Sequence, residues 1–380
     1  MPARGADREA RLWLSGLLFF VAFYSLHLPL ASRLLATGFA GWQVGLILGA
    51  LGPAALAGRI VAGPLADGIG GPRLMAAGAG LLALSAIVFS DSRSFPVLIL
   101  ARTLQALGYA AFSTAAAAVA GVLAPGEESI PALSRQGTAA NVAMAATTWL
   151  LASRPSPDQP LHTWAALLAC LGGALAFRLP AAESGRPSQR DASAWPVPGA
   201  ARLPTLAAAL SGAGFAAVSQ FAAVGPDGRA TSAGLVYGAG ILSTRLLLSR
   251  TSPRARLGLP GPFALLAAGL LLLAGHSSAV KDGVAVLLVA AGLGLLHPLL
   301  LALHLSLQRP AERGRAVAVY YVGFDLGIGV GGWLFGLVVP RSGAQGVFAV
   351  ASALTATGVL VSLAMERQKS LDSRSRLANT

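Results

Sequence analysis

Residues 42–90 read WQVGLILGALGPAALAGRIVAGPLADGIGGPRLMAAGAGLLALSAIVFS. Two apolar runs, 42–66 and 73–90, are joined by a short glycine-rich turn whose charges are Asp67 and Arg73. A hydrocarbon core about 30 Å thick is crossed by about 20 residues of helix at 1.5 Å per residue, with 17 to 25 as the working range. Both runs fit that length. The stretch therefore reads as two membrane-crossing helices held together by a tight, polar turn.

The same test applied outward gives twelve spans: 12–32, 42–66, 73–90, 95–124, 135–152, 162–179, 203–224, 231–249, 259–278, 282–307, 315–340 and 344–365. The fold class expected is an all-α membrane protein, twelve transmembrane helices in two pseudo-symmetric six-helix bundles. Its parts are residues 1–180 as the first bundle, 181–202 as a cytoplasmic linker, 203–366 as the second bundle and 367–380 as a cytoplasmic tail. Arg4, Arg8 and Arg11 before the first apolar run resemble the start of a signal peptide. That run reaches about twenty residues, beyond the 7 to 15 of a cleaved segment, so it reads as the first span.

Composition agrees. Across 380 residues, 55% are hydrophobic and 11% charged, and mean hydropathy is positive. Soluble domains carry about 25% charge, so a soluble enzyme would lack the charge its own surface needs. The net charge of +13 does not point to nucleic acid, because no soluble domain presents a basic face. It falls in clusters between the apolar runs. With the N-terminus inside, nineteen Lys and Arg lie on inner loops, six on outer loops (Arg33, Arg93, Arg154, Arg229, Lys281 and Arg341), and Arg59, Arg102 and Arg245 within spans. Such a bias supports both the even span count and the orientation, with both termini cytoplasmic. Cys170 cannot form an internal disulfide and reads as a small packing residue.

The segment 181–202 is rich in Pro, Ser, Gly and charge, which suits a flexible linker. Across it a weak repeat holds at a constant shift of 186 residues, pairing Gly52 with Gly238, Arg59 with Arg245, Gly108 with Gly294 and Gly137 with Gly323. The pairing of two intramembrane arginines is its strongest part. Repeated halves are what alternating-access transporters use.

In the turn Gly63-Pro64-Leu65-Ala66-Asp67-Gly68-Ile69-Gly70-Gly71-Pro72-Arg73, glycines allow two helix ends to approach, and Asp67 can accept from a helix N-terminus or pair with an arginine. The turn resembles the G-x-L-a-D-x-x-G-x-x-R/K loop of the major facilitator superfamily and falls between the corresponding spans. Gly68 and Pro72 stand where that family usually has basic residues. In span 4, Arg102-Thr103-Leu104-Gln105-Ala106-Leu107-Gly108 is similar to the family's R-x-x-Q-G-x-G signature, with Ala106 in place of one glycine. The resemblance implies a proton-coupling role for Arg102. A guanidinium in hydrocarbon costs about 2.5 kcal/mol or more unless it faces a partner or water, so Arg102 should point inward; hydrogen bonding to backbone carbonyls is the structural alternative.

Span 11 contains Tyr320-Tyr321-Val322-Gly323-Phe324-Asp325-Leu326-Gly327-Ile328-Gly329-Val330-Gly331-Gly332. It resembles the matching segment of drug:proton antiporters and small-molecule effluxers in the same superfamily. Asp325 lies about ten residues, or roughly 15 Å, from the inner face. A carboxylate at that depth suits a group that takes a proton on one side and gives it up on the other; a structural, Arg-paired Asp is the alternative.

With Asp325, Arg102 and His27 as the proton-coupling candidates and Gly63, Asp67, Gly70 and Arg73 as the conformational loop, Tyr24, Gln105, Asn141, His297 and Tyr321 are candidates for the solute pathway. Tyr24 and His27 share a helix face at i and i+3. Asn141 also fits a helix-to-helix hydrogen bond, and His297, before Pro298, a kink partner. Arg59 and Arg245 read as snorkelling toward the interface, and Trp42, Trp149 and Trp164 as belt anchors. No G-x-x-x-x-G-K-[ST], H-E-x-x-H or paired-cysteine motif occurs. The expectation is therefore no cofactor, no metal and no enzymatic activity.

The function expected is a proton-coupled secondary transporter of the bacterial cytoplasmic membrane, acting as a monomer in the lipid bilayer. It would export a small organic solute through a path lined by spans 1, 4, 5, 7, 8, 10 and 11. Uptake of organic acids or other nutrients is the first alternative, with Arg59, Arg102 and Arg245 as anion partners. A non-transporting membrane sensor is the second.

Overall fold

The computed structural model describes residues 2–124, 128–153, 161–179, 199–221, 230–250, 258–275, 278–309 and 312–378. The expected linker lies outside the described residues from 181 to 198, as do the side chain of Trp42 and the last two residues. Among the described residues all regular structure is helical.

The elements are α1 (Pro2–His27), α2 (Leu30–Ala36), α3 (Gly41–Gly49), α4 (Leu51–Ile69), α5 (Gly71–Asp91), α6 (Phe95–Leu123), α7 (Ser129–Ser153), α8 (Leu161–Phe177), α9 (Arg202–Phe221), α10 (Ala230–Arg250), α11 (Pro260–Ala274) and α12 (Ala279–Ser306). A last helical run, Arg313–Ala378, breaks at Gly343, where φ is 59°. Its apolar arms are α13 (Arg313–Val338) and α14 (Arg341–Gln368). The second expected span is two helices, α3 and α4, which together supply one crossing from Leu46 to Ile69. The first ends at His27, because Leu28 and Pro29 form a turn that leads into the short helix starting at Leu30.

Eight described helices are long and apolar enough to cross a membrane. Three shorter apolar ones, Leu161–Phe177, Val236–Leu248 and Pro260–Ala274, and the helix α7 make up the twelve segments. Large apolar side chains point outward along them, among them Ile87, Leu167, Leu247, Trp333 and Leu360. Water would not tolerate that surface, and lipid does. Trp149 and Trp164 are among the exposed side chains.

The chain forms two compact units. One is Met1–Trp195 with Gln308–Tyr321, and the other is Pro196–Leu307 with Val322–Thr380. The first is organised around α6, which packs on α4, α5 and α1, while α8 fills the space between α1 and α5. In the second, α12 takes the place of α6 and packs on α10, α11 and α9. The helices around α6 and α12 thus pair alike in the two units, although Gly108 meets Gly78 of α5 while its repeat partner Gly294 meets Thr244 of α10.

Glycines set the spacing. A Cβ on Gly78 would lie 2.8 Å from the Gly108 carbonyl oxygen, and one on Gly108 would lie 2.6 Å from that of Gly78, so α5 and α6 touch backbone to backbone. In the second unit Gly323, Gly327 and Gly331, four residues apart, all face α9, meeting Thr205, Ala209 and Ala213. With no hydrophobic drive between helices in lipid, such close van der Waals packing is what holds a bundle.

Candidate functional site

On α6, Arg102, Gln105, Tyr109 and Ser113 follow at i, i+3, i+7 and i+11, one face of the helix. On α1, Phe20, Phe23, Tyr24 and His27 do the same. Where these faces meet, Arg102 is buried at 1% exposure and Gln105 at 0%. Arg102 Nη1 donates to Gln105 Oε1 at 2.5 Å, and Nη2 lies 2.9 Å from His27 Nδ1. Gln105 Nε2 donates in turn to the Phe23 carbonyl at 3.3 Å. An arginine has only donors, so this contact requires a lone pair on Nδ1 and a neutral His27 carrying its proton on Nε2. Arg102 Nε is buried with no hydrogen-bond partner, and among the described residues no carboxylate pairs with this cation.

An aromatic ladder runs from this cluster. Phe23 stacks on His27 at 5.3 Å and on Tyr109 at 5.0 Å, and Tyr24 meets Phe20 and Phe23 at 6.1 and 5.4 Å. At its far end stands Arg59, fully buried, with its Cζ 4.8 Å from the Tyr109 ring and 4.0 Å from the Tyr321 ring. Its Nη1 donates to the Ala110 carbonyl, Ser113 Oγ and Thr114 Oγ1. The expected snorkelling is therefore wrong. Arg59 lies ten residues, about 15 Å, from the end of α4, too deep to reach water, and α6 supplies acceptors nearby. Arg245 is likewise buried, at 6% exposure.

The turn residues form a second cluster. Asp67, half-buried, accepts from the backbone N–H of Gly314 at 2.6 Å and of Arg315 at 3.0 Å. These are the second and third residues of α13, whose first amides have no partner within their own helix. Asp67 is thus an N-cap supplied from another helix, with the helix dipole adding to the attraction. Gly63 makes room for it, since a Cβ there would lie 2.7 Å from Ala318 Cβ. Gly70, at φ 91°, turns the chain from α4 into α5. Arg73 is exposed at the start of α5.

Asn141, His297 and Asp325 are the remaining candidates. Asn141 is half-buried on α7, with its Nδ2 buried and unpartnered among the described residues. In the other unit, His297 meets the Phe324 ring edge-on at 6.2 Å, and Asp325 follows, half-buried. Sequence reasoning missed Tyr109, Ser113 and Thr114. Tyr109 carried a usable signal, its i+7 spacing from Arg102.

The sequence model of the Major Facilitator Superfamily matches residues 12–310. The chain belongs to the major facilitator superfamily. Among curated relatives it is 30% identical over 196 residues to YhhS of Escherichia coli strain K12, described as an uncharacterized MFS-type transporter, and similarly to YhhS of Salmonella typhi. That match takes in 48% of each chain, so this protein spans about half the length of the curated relatives it matches.

Solved structures of superfamily transporters share the fold. The human organic anion transporter MFSD10 (TETRAN) aligns with a TM-score of 0.80 at 18% identity, over 94% of this chain and 99% of its own. The E. coli fucose:proton symporter FucP gives 0.71 at 19% identity, over 92% and 97%. The proton:xylose symporter XylE gives 0.73 at 16%, over 96% of each. Identities this low speak for the fold. They also fit the all-α membrane architecture of twelve spans read from the sequence.

Proposed function

We propose that this superfamily member is a secondary transporter that carries a small organic anion together with protons across the bacterial cytoplasmic membrane, by alternating access, as a monomer with both termini cytoplasmic. The observation that carries the reading is Arg102, a buried cation with an unpartnered donor and no carboxylate among its described neighbours. A buried charge is costly until something compensates it. A carboxylate arriving as solute does so, and the planar guanidinium suits it.

The proton follows from the same geometry. His27 Nδ1 faces Arg102 Nη2, and a solute carboxylate that draws the guanidinium away leaves that lone pair to a proton. Anion and proton then attract each other in a site of low dielectric. Joint binding makes a symporter, and an inward proton gradient makes it an importer. The names of MFSD10, FucP and XylE lend this reading support, as an organic anion transporter and two proton symporters.

Export in exchange for protons is the second reading. It is favoured by the span 11 resemblance and by the half-buried Asp325, a carboxylate suited to a cationic solute. Proteoliposomes with an acidic exterior separate the two. Accumulation of a labelled aromatic or aliphatic carboxylate, lost in Arg102→Gln and retained in Asp325→Asn, supports uptake with protons. Expulsion of organic cations, lost in Asp325→Asn and retained in Arg102→Gln, overturns it in favour of export.

A further inference from the structure

A cavity of about 430 Å³ opens on the outer side of the α5–α8 pair in the first unit. Its size is within the 300 to 1,000 Å³ usual for sites that hold an organic ligand. The sequence explains why it exists. Gly173 brings the helices together, since a Cβ there would lie 2.9 Å from Ala79 Cβ. Around that contact the lining is small, with Ala76 and Gly80 from α5 and Cys170 from α8, which leaves a hollow beside the contact. The opening faces outward, because Gly80, Cys170 and Phe177 are exposed. It is flanked by exposed Leu84, Ile87, Leu167 and Leu171, the surface that the bilayer covers.

The groove runs from Cys170 to Arg178 along α8, eight residues or about 12 Å, against a hydrocarbon leaflet of about 15 Å. At its mouth, where the apolar stretch of α8 ends, stands Arg178. This exposed cation has no hydrogen bond or ion pair with any described residue. An open apolar groove along two turns of α8, ending at a guanidinium with no partner among the described residues, suits a lipid chain and its headgroup better than a helix or a soluble ligand. We propose that this groove holds one acyl chain of an anionic phospholipid, with the headgroup phosphate on Arg178. The occupant is distinct from the transported solute, and the site does not depend on the solute's identity.

Native mass spectrometry of the full chain, released from detergent after equilibration with equal dioleoyl-phosphatidylglycerol or dioleoyl-phosphatidylcholine, tests it. The wild type should retain one phosphatidylglycerol about fivefold more than phosphatidylcholine, the preference expected of one interfacial arginine. Arg178→Gln should bring the two lipids level. Gly80→Leu should reduce retention of both, because a side chain there meets nothing within 4 Å and grows into the groove without moving either helix. Alkylation of Cys170, the sole cysteine, gives a second readout in detergent, and phosphatidylglycerol should slow it in the wild type and not in Arg178→Gln. Equal retention of the two lipids by the wild type overturns the proposal, as does full retention by Gly80→Leu or alkylation indifferent to lipid.

Discussion

Asp67→Ala removes the cap from the start of α13. Two backbone N–H groups, those of Gly314 and Arg315, donate to its carboxylate at 2.6 and 3.0 Å. Hydrogen bonds to a charged group contribute about 1.5 to 3 kcal/mol each. Asp67 is half-buried and water can replace part of what is lost, so the lower figure applies and the pair is worth about 3 kcal/mol. That corresponds to roughly a hundredfold change in the equilibrium between a capped and a frayed first turn. Amide hydrogen exchange reads this directly, since the two donors are themselves the exchanging groups. In the purified full chain, a peptide covering residues 312–321 should exchange about a hundredfold faster in Asp67→Ala, with the rest of α13 less affected. Asp67→Asn should fall between, because its Oδ1 still accepts one N–H while its amide nitrogen turns a donor toward the other. Unchanged protection in Asp67→Ala, with the protein still folded, would refute the assignment of this aspartate as a cap.

Three further outcomes follow from the same geometry. If the carboxylate of the solute docks on Arg102, Arg102→Gln should lower the initial rate of carboxylate uptake into proteoliposomes by at least tenfold, the scale of one charge-assisted hydrogen bond. Arg102→Lys, which keeps the charge and loses the fork, should fall between. Gly78→Leu, whose Cβ would sit 2.8 Å from the Gly108 oxygen, should destabilise the detergent-solubilised protein by about 1 to 3 kcal/mol or more. Gly80→Leu, two residues on with nothing within 4 Å, should stay within about 0.5 kcal/mol, and equal shifts in melting temperature would contradict the packing. Tyr321→Phe keeps the ring 4.0 Å from Arg59 and should lower the melting temperature less than loss of the ring does. Tyr321→Leu should cost about 0.5 to 2 kcal/mol, the worth of a desolvated cation–π contact.

The spans were legible because lipid reduces fold recognition to length. An apolar run either reaches across the hydrocarbon or it does not, and the polar turns between runs mark the ends. The Arg102 cluster was partly legible for a related reason. Gln105 follows Arg102 by three residues on the same helix, and His27 lies at the end of α1 where Arg102 lies near the start of α6, so depth alone brings them level. Asp67 was legible in kind, as an acceptor for a helix N-terminus, without the identity of that helix, which begins 246 residues later at Arg313.

The environment of Arg59 was not legible. Its acceptors and its two tyrosines depend on how α4 and α6 are rotated about their own axes and on which residue of α13 reaches them. In a helix apolar on nearly every face, the hydrophobic pattern that fixes rotation in a water-soluble bundle is absent. What fixes it here is the set of glycines. Gly58 meets Leu107 and Ala110 of α6, and Gly63 meets Gly314 and Ala318 of α13. With α4 pinned at those two points, Arg59, next to Gly58, has to point between α6 and the start of α13. The glycines of a lipid-facing bundle thus carry the rotational information that polar faces carry elsewhere. Substituting Gly58 should therefore disturb the cation cage of Arg59 even though it touches none of its hydrogen bonds.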